Sequence, residues 1–144
     1  MDYNIYYYTI LKDIKRGKIM IIGIGTDILK IKNIDHFLND LNDPFITKTF
    51  TKKELKLILQ REKPLYSFAT RFAGKEAVFK ALGIGGNDIR LNEIEILEDE
   101  TYAPFVILHA SASKIAEEKK IIMIHISLSY DSDYAIGYAL AEGK

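Results

Sequence analysis

The run Ile21-Ile22-Gly23-Ile24-Gly25-Thr26-Asp27-Ile28 constrains the fold of this chain more than any other segment. Its β-branched residues favour a strand, and successive side chains of a strand alternate between faces. Ile22, Ile24, Thr26 and Ile28 therefore share one side, and Gly23, Gly25 and Asp27 the other. Glycine inside a strand weakens it and marks close approach by a ligand or another backbone. A carboxylate beside a cleared surface, backed by an apolar face, suits a metal or a phosphate–metal pair. The plainer alternative is a strand end with turn glycines and a solvated Asp27.

With 144 residues, 48% hydrophobic and 28% charged, the chain has the size and composition of one globular domain with a real core. Twenty Lys and Arg balance twenty Asp and Glu. No global charge draws it to nucleic acid or a membrane surface, so a charged partner must be read by a local patch. The absence of Cys excludes disulfides, thiolate catalysis and cysteine zinc sites, and fits a reducing cytosol, so a cytoplasmic location is expected. No apolar stretch approaches the ~18–20 residues of a transmembrane helix.

Residues 1–19 differ from the rest. Tyr3, Tyr6, Tyr7 and Tyr8 stand among scattered charges without a clear period. Met20 opens the first apolar strand, and Lys15-Arg16-Gly17-Lys18 would be read from purine-rich codons, as a ribosome-binding site would be. Residues 1–19 are expected to be an extension from an upstream start, with the domain spanning 20–144. The alternative is an amphipathic turn from Ile5 to Ile14 docked on the domain.

After the first strand, Asn33 or Asp35 is expected to cap a short helix through Leu41, broken at Asn42-Asp43-Pro44. Thr51-Lys52-Lys53-Glu54 is a capping box opening a helix to about Arg61. Pro64 introduces a longer helix, about Leu65 to Leu82, ended by Gly83. Leu91–Leu97 and Pro104–His109 read as paired strands, Ala110–Lys119 as a helix, and Ile121–Ser129 with Tyr134–Leu140 as a hairpin. Hairpin-linked strands with helices grouped after the first strand indicate an α+β fold: a single domain built on an antiparallel sheet with packed helices.

On the long helix Leu65, Phe68, Ala69, Phe72 and Phe79 form an apolar stripe, and Glu76 projects ~40° from Phe72 within it. A charge on a buried face is costly unless paired or bound to a metal. A solvated Glu76–Lys80 pair is the bland alternative. With Arg71, Lys75 and Lys80 on the same helix, an acid and three cations are expected in one neighbourhood, which a magnesium–pyrophosphate site requires. His125, Ser127 and Ser129 fall on one face of a later strand, as a phosphate-binding row or simply its wet side. Gly83-Ile84-Gly85-Gly86 lacks the Lys-Ser/Thr of a P-loop but is a candidate backbone nest at a helix end.

In order, Gly23-Ile24-Gly25-Thr26-Asp27-Ile28, Phe50-Thr51-x-x-Glu54, Arg71-Phe72-Ala73-Gly74-Lys75-Glu76-Ala77-x-x-Lys80-Ala81-Leu82-Gly83 and His125-Ile126-Ser127-Leu128-Ser129 resemble the bacterial holo-[acyl-carrier-protein] synthases. These are the small, single-domain group of the 4′-phosphopantetheinyl transferases, and the resemblance runs from Met20 to about Glu142. It implies that fold and the transfer of phosphopantetheine from coenzyme A to a serine of apo acyl carrier protein, in fatty acid biosynthesis. Asp27 and Glu76 would hold Mg²⁺, with Glu76 and Lys80 catalytic. Arg71, Lys75, Lys80, Gly83, Gly85, His125 and Ser127 would bind the co-substrate. A homotrimer with sites between subunits is also implied. The proton acceptor is left open between Glu76 and a metal-bound water.

The chain departs from the family at three places: Gly74 replaces the usual Ala, Tyr130 a second His, and Asn33 a common Arg. With Asp35, Asp40 and Asp43 around Asn33, docking of an acidic carrier falls to Lys30, Lys32, Lys48, Lys52 and Lys53. The competing reading is a module of the same fold that binds coenzyme A without turnover. An actin-like phosphate loop needs a far longer chain. A chain beginning at Met20 is expected to fold and act like the full one. A large drop in melting temperature on truncation would make the tyrosine-rich segment part of the domain.

Overall fold

A computed structural model describes residues 19–86 and 88–144, with residues 12 and 17 besides. The reading of residues 1–19 as an extension therefore lies almost wholly outside the described residues. Strand β1 (Met20–Lys30) is followed by two short 3₁₀ turns, Ile31–Asn33 and Asp35–Asn39, and helices α1 (Pro44–Thr49), α2 (Lys52–Leu59) and α3 (Pro64–Leu82). Then come β2 (Ile94–Glu98), β3 (Pro104–Leu108), α4 (Ala110–Glu118), β4 (Ile121–Tyr130) and β5 (Tyr134–Gly143). Two antiparallel sheets result: β1-β5-β4, with the last strand in the centre, and the β2-β3 hairpin.

The local signals act where their chemistry is present. Thr51 Oγ accepts from Glu54 N at 3.2 Å, while Glu54 Oε2 takes Thr51 N at 2.8 Å, so the capping box closes and starts α2. Gly83 ends α3 in the left-handed region at φ 62°, where a side chain would be strained. The expected helix from Asn33 or Asp35 to Leu41 is absent. The cap positions fall on Lys30 and Ile34, which offer no side-chain acceptor, and only 3₁₀ turns form. Asp43-Pro44 starts a helix rather than breaking one: Asp43 Oδ1 accepts from Phe45 N at 2.7 Å and Pro44 takes the first turn.

Helix α3 lies across the inner face of β1 and β5. That face is almost bare of side chains. Along β5 the inward residues are Ala135, Gly137, Ala139, Ala141 and Gly143, alternating with outward Tyr134, Ile136 and Tyr138. A Cβ added at Gly25 would overlap the Ala77 carbonyl oxygen, one at Gly23 that of Ala81, and one at Gly137 the Ala73 backbone. The cleared surface beside Asp27 thus receives the helix backbone rather than a ligand. The expected stripe is corrected as well. Phe68 and Ala69 of that stripe are fully buried, and Ala73, Ala77 and Ala81 continue the buried row at four-residue spacing, whereas Leu65, Phe72 and Phe79 are only half-buried.

A buried ion pair fixes the other side of α3. Glu54 and Lys75 are both 0% exposed, with Lys75 Nζ 2.8 Å from Glu54 Oε1. Glu54 Oε1 also accepts from Ile96 N at 2.8 Å, and Lys75 donates to the Ile94 carbonyl and, at 3.1 Å, to that of Leu91. Burial pushes the Lys75 ammonium below the ordinary lysine range, against the pull of Glu54. The pair thereby ties α2, α3 and β2 together.

Gly25→Ala should destabilise the fold by at least ~1–3 kcal/mol, because backbone rather than a side-chain tip must yield. Gly86→Ala, whose Cβ would meet open space, should stay within ~0.5 kcal/mol of wild type. Denaturant midpoints for the two variants compare them directly.

Candidate active site

The close approach of α3 sets the site. Glu76 and Lys80, one turn apart, face the outer end of β1, where Asp27 follows Gly25. Lys80 Nζ donates to Asp27 Oδ1 and to the Thr26 carbonyl, both at 2.9 Å. Glu76 is half-buried. Its carboxyl is pushed above the usual range first by burial and then by the negative charge of Asp27, with Lys80 partly opposing both.

Two neighbouring carboxylates, with the Lys80 ammonium already on one of them, have the chemistry to hold a cation between them. Among the described residues no cluster of three or more His, Asp or Glu could hold a metal. Two protein carboxylates fit Mg²⁺, which keeps waters and takes its other ligands from substrate phosphates. Glu76 also lines a trough of about 490 Å³ together with Phe45, Phe72, Lys48 and Arg90.

Arg71 and Lys75 do not join this neighbourhood. Five residues turn a helix by about 500°, so Arg71 points ~140° away from Glu76. Lys75, expected at the co-substrate, is enclosed in the core by Glu54 and the carbonyls of Leu91 and Ile94. Arg71 sits instead in a second cleft, of about 700 Å³, on the β2 side, with Arg61, Lys63, Glu98, Ser127 and Tyr130 among its walls. There Tyr66 stacks on Tyr130 with ring centroids 4.7 Å apart.

Two glycines of the candidate nest have their amides engaged: Gly83 N donates to Lys80 O at 3.0 Å and Gly85 N to Asp88 Oδ2 at 2.9 Å. His125, Ser127 and Ser129 do share the outer face of β4, and His125 Nε2 lies 2.8 Å from Glu142 Oε2. Ser127 alone of them reaches the second cleft. Sequence reasoning missed Arg61, Glu98 and Arg90. Arg61 and Glu98 are 37 residues apart and meet only through tertiary packing, so no spacing could have announced them.

The outer face of the three-stranded sheet carries Ile24 at 60% and Ile28 at 65% exposure, with Ile136 and Tyr138 beside them on β5. Asp27 lies on β1, one edge strand, and Ser127 and Tyr130 on β4, the other. The acid pair and the cationic cleft therefore open at opposite edges of one sheet.

The sequence profile of the 4′-phosphopantetheinyl transferase superfamily matches residues 23–139. A holo-[acyl-carrier-protein] synthase of Clostridium perfringens is 38% identical over 129 residues, 87% of this chain and 96% of that protein. One from Clostridium novyi is 40% identical over 123 residues, 85% of this chain and 88% of that protein. Among solved structures, the Plasmodium yoelii acyl carrier protein synthase with ADP bound superimposes with a TM-score of 0.76 at 35% identity, covering 88% of this chain and 98% of its own. The Helicobacter pylori holo-[acyl-carrier-protein] synthase in complex with coenzyme A gives 0.71 at 27%, covering 82% and 98%.

The raised proton affinity of Glu76 has a measurable sign. Between the ordinary carboxylate range and the raised value, the folded protein holds more protons than the unfolded one, so stability falls as pH rises. Above the raised range the charged form of Glu76 costs stability. Without added metal, Glu76→Gln should melt higher than wild type near neutrality, with the gap closing as acid protonates Glu76. An equal or lower melting temperature at neutral pH would contradict this.

Proposed function

The chain belongs to the 4′-phosphopantetheinyl transferase superfamily, and from that premise we propose that it is an Mg²⁺-dependent holo-[acyl-carrier-protein] synthase. It moves the phosphopantetheine arm of coenzyme A to a serine of apo acyl carrier protein. The serine oxygen forms a bond to the β-phosphorus as the pyrophosphate link breaks, and adenosine 3′,5′-bisphosphate leaves with the electron pair. The observation that carries this reading is the Asp27–Glu76 pair with Lys80 held on it. Asp27 and Glu76 would hold the Mg²⁺, which when bound neutralises the charge developing on the pyrophosphate.

The protein's own groups supply the rest. With Asp27 engaged in holding the Mg²⁺, Lys80 would donate to a phosphate oxygen instead. The serine must lose a proton as it attacks, and the acceptor stays open between Glu76 and a water. The Phe45–Phe72 trough beside Glu76 suits the uncharged pantetheine arm. Lys48 and Arg90 lining it suit an acidic carrier, which the aspartates at 35, 40 and 43 would repel.

A single protomer places the acid pair and the Arg71 cleft at opposite sheet edges. A closed ring that buries the Ile24–Ile28–Ile136–Tyr138 face would bring one protomer's pair to its neighbour's cleft, which supports a homotrimer with sites between subunits. Fatty acid biosynthesis in the cytoplasm is the setting that these substrates and a Cys-free chain support.

Protein, Mg²⁺, coenzyme A and apo carrier are incubated together and the carrier is weighed. Wild type should add one phosphopantetheine per carrier serine. Asp27→Ala and Glu76→Ala should each lower kcat/KM by on the order of a thousandfold with the fold intact. Near-normal turnover of either variant at saturating Mg²⁺ would sink the metal assignment. Binding of coenzyme A with no mass gain on any carrier would favour the non-catalytic module.

A further inference from the structure

In the second cleft the guanidinium of Arg71, only 2% exposed, is gripped from three directions. Nε donates to the Ile96 carbonyl at 3.3 Å, Nη1 to Ser67 Oγ, and Nη2 to Glu98 Oε1 at 2.9 Å. The other Glu98 oxygen takes Arg61, so one carboxylate bridges two guanidiniums. Arg61 in turn lies over the Tyr102 ring, 5.4 Å from its centroid.

The charges do not balance within this contact. One carboxylate faces two guanidiniums, and the remaining charges on the wall, Lys63 and Glu62, offset each other, which leaves one positive charge in surplus. A buried cation needs a full counter-charge, so the seat that Glu98 fills is better suited to a dianion. A phosphate monoester brings nearly two charges and three acceptor oxygens, and pairs with guanidinium in bidentate fashion. Glu98 is able to yield. Its side chain lines the cleft and keeps 15% of its surface exposed. Its backbone, by contrast, is held at the end of β2 by pairing with Pro104 and by a turn in which Asp99 Oδ1 accepts from Thr101 and Ala103.

We propose that Glu98 is a tethered competitor: it occupies the seat of a terminal phosphate of the ligand and swings out when that phosphate arrives. Resting on the reading that the ligand is coenzyme A, the group it gives way to is the 3′-phosphate, distinct from the pyrophosphate at the acid pair. Glu98 thereby weakens binding of every anion but excludes singly charged ones most, and selects for the phosphorylated ribose.

Titration calorimetry without magnesium tests this on wild type, Glu98→Gln and Glu98→Asp, with coenzyme A, 3′-dephospho-coenzyme A and inorganic pyrophosphate as probes. Glu98→Gln removes the competing charge and should tighten coenzyme A by on the order of tenfold. Glu98→Asp, a methylene too short to bridge both guanidiniums, should tighten it by less. For 3′-dephospho-coenzyme A the gain should vanish. Coenzyme A binding all three proteins equally overturns the competitor while leaving the transferase reading in place. Weaker binding by a variant that melts like wild type makes Glu98 a positioning residue for Arg71 and also overturns it. If no protein binds coenzyme A, the transferase reading fails, and pyrophosphate decides the competitor alone: tighter on Glu98→Gln upholds it, unchanged rejects it. Should Glu98→Gln not fold, Glu98→Asp carries the same comparison.

Discussion

Helix α3 and the sheet meet backbone to backbone, and the remaining geometry follows from that contact. Gly23, Gly25 and Gly137 face the carbonyls and backbone of Ala81, Ala77 and Ala73, with no side chain between them. A helix packed at ordinary side-chain distance would hold Glu76 and Lys80 farther from β1. Here the ammonium of Lys80 reaches both the Thr26 carbonyl and the Asp27 carboxylate at 2.9 Å. The small residues of β5 and the alanine row of α3 extend the same contact along the sheet.

A close contact fixes distance but not rotation. The Glu54–Lys75 pair supplies the rotation, since Lys75 precedes Glu76 and is anchored to Glu54 and two carbonyls of the β2 region. Removing one partner of such a pair strands a buried charge and typically costs ~3–5 kcal/mol, whereas the intact pair adds little net stability over an apolar replacement. Its value lies in allowing one orientation of α3. The same turn of the helix that aims Glu76 at Asp27 sends Arg71 to the opposite side, towards Glu98.

Much of this was legible in the sequence because it is written in local chemistry. The capping box at Thr51, the stop at Gly83 and the hairpin around Asp131-Ser132-Asp133 each depend on neighbours within a few residues. Asp27 and Glu76 stood out because each is a charge among apolar or vacant positions. What the sequence concealed depends on partners far along the chain. Gly25 signals close approach without saying by what, and only the Ala77 opposite it answers that a helix fills the space. Aromatic size drew attention to Phe72 and Phe79, yet the small Ala73, Ala77 and Ala81 make the tightest face. Lys75 read as a ligand-binding cation because a buried lysine and a functional one look alike until Glu54 is placed beside it.

The position of β5 has a kinetic consequence. It is the last element in chain order but the middle strand of its sheet, paired with β1 on one side and β4 on the other. During synthesis β1 therefore emerges first and waits without a partner until residues 134–143 have left the ribosome. Its isoleucines stay available to chaperones, or to other nascent chains, for that whole interval. Every side chain assigned to chemistry here lies upstream of β5, yet a chain stopped short of Tyr134 would have no central strand on which to assemble them. Assembly of this sheet therefore waits for residues 134–143, and pairing β1 with β5 closes a long loop, the kind of non-local contact that slows folding.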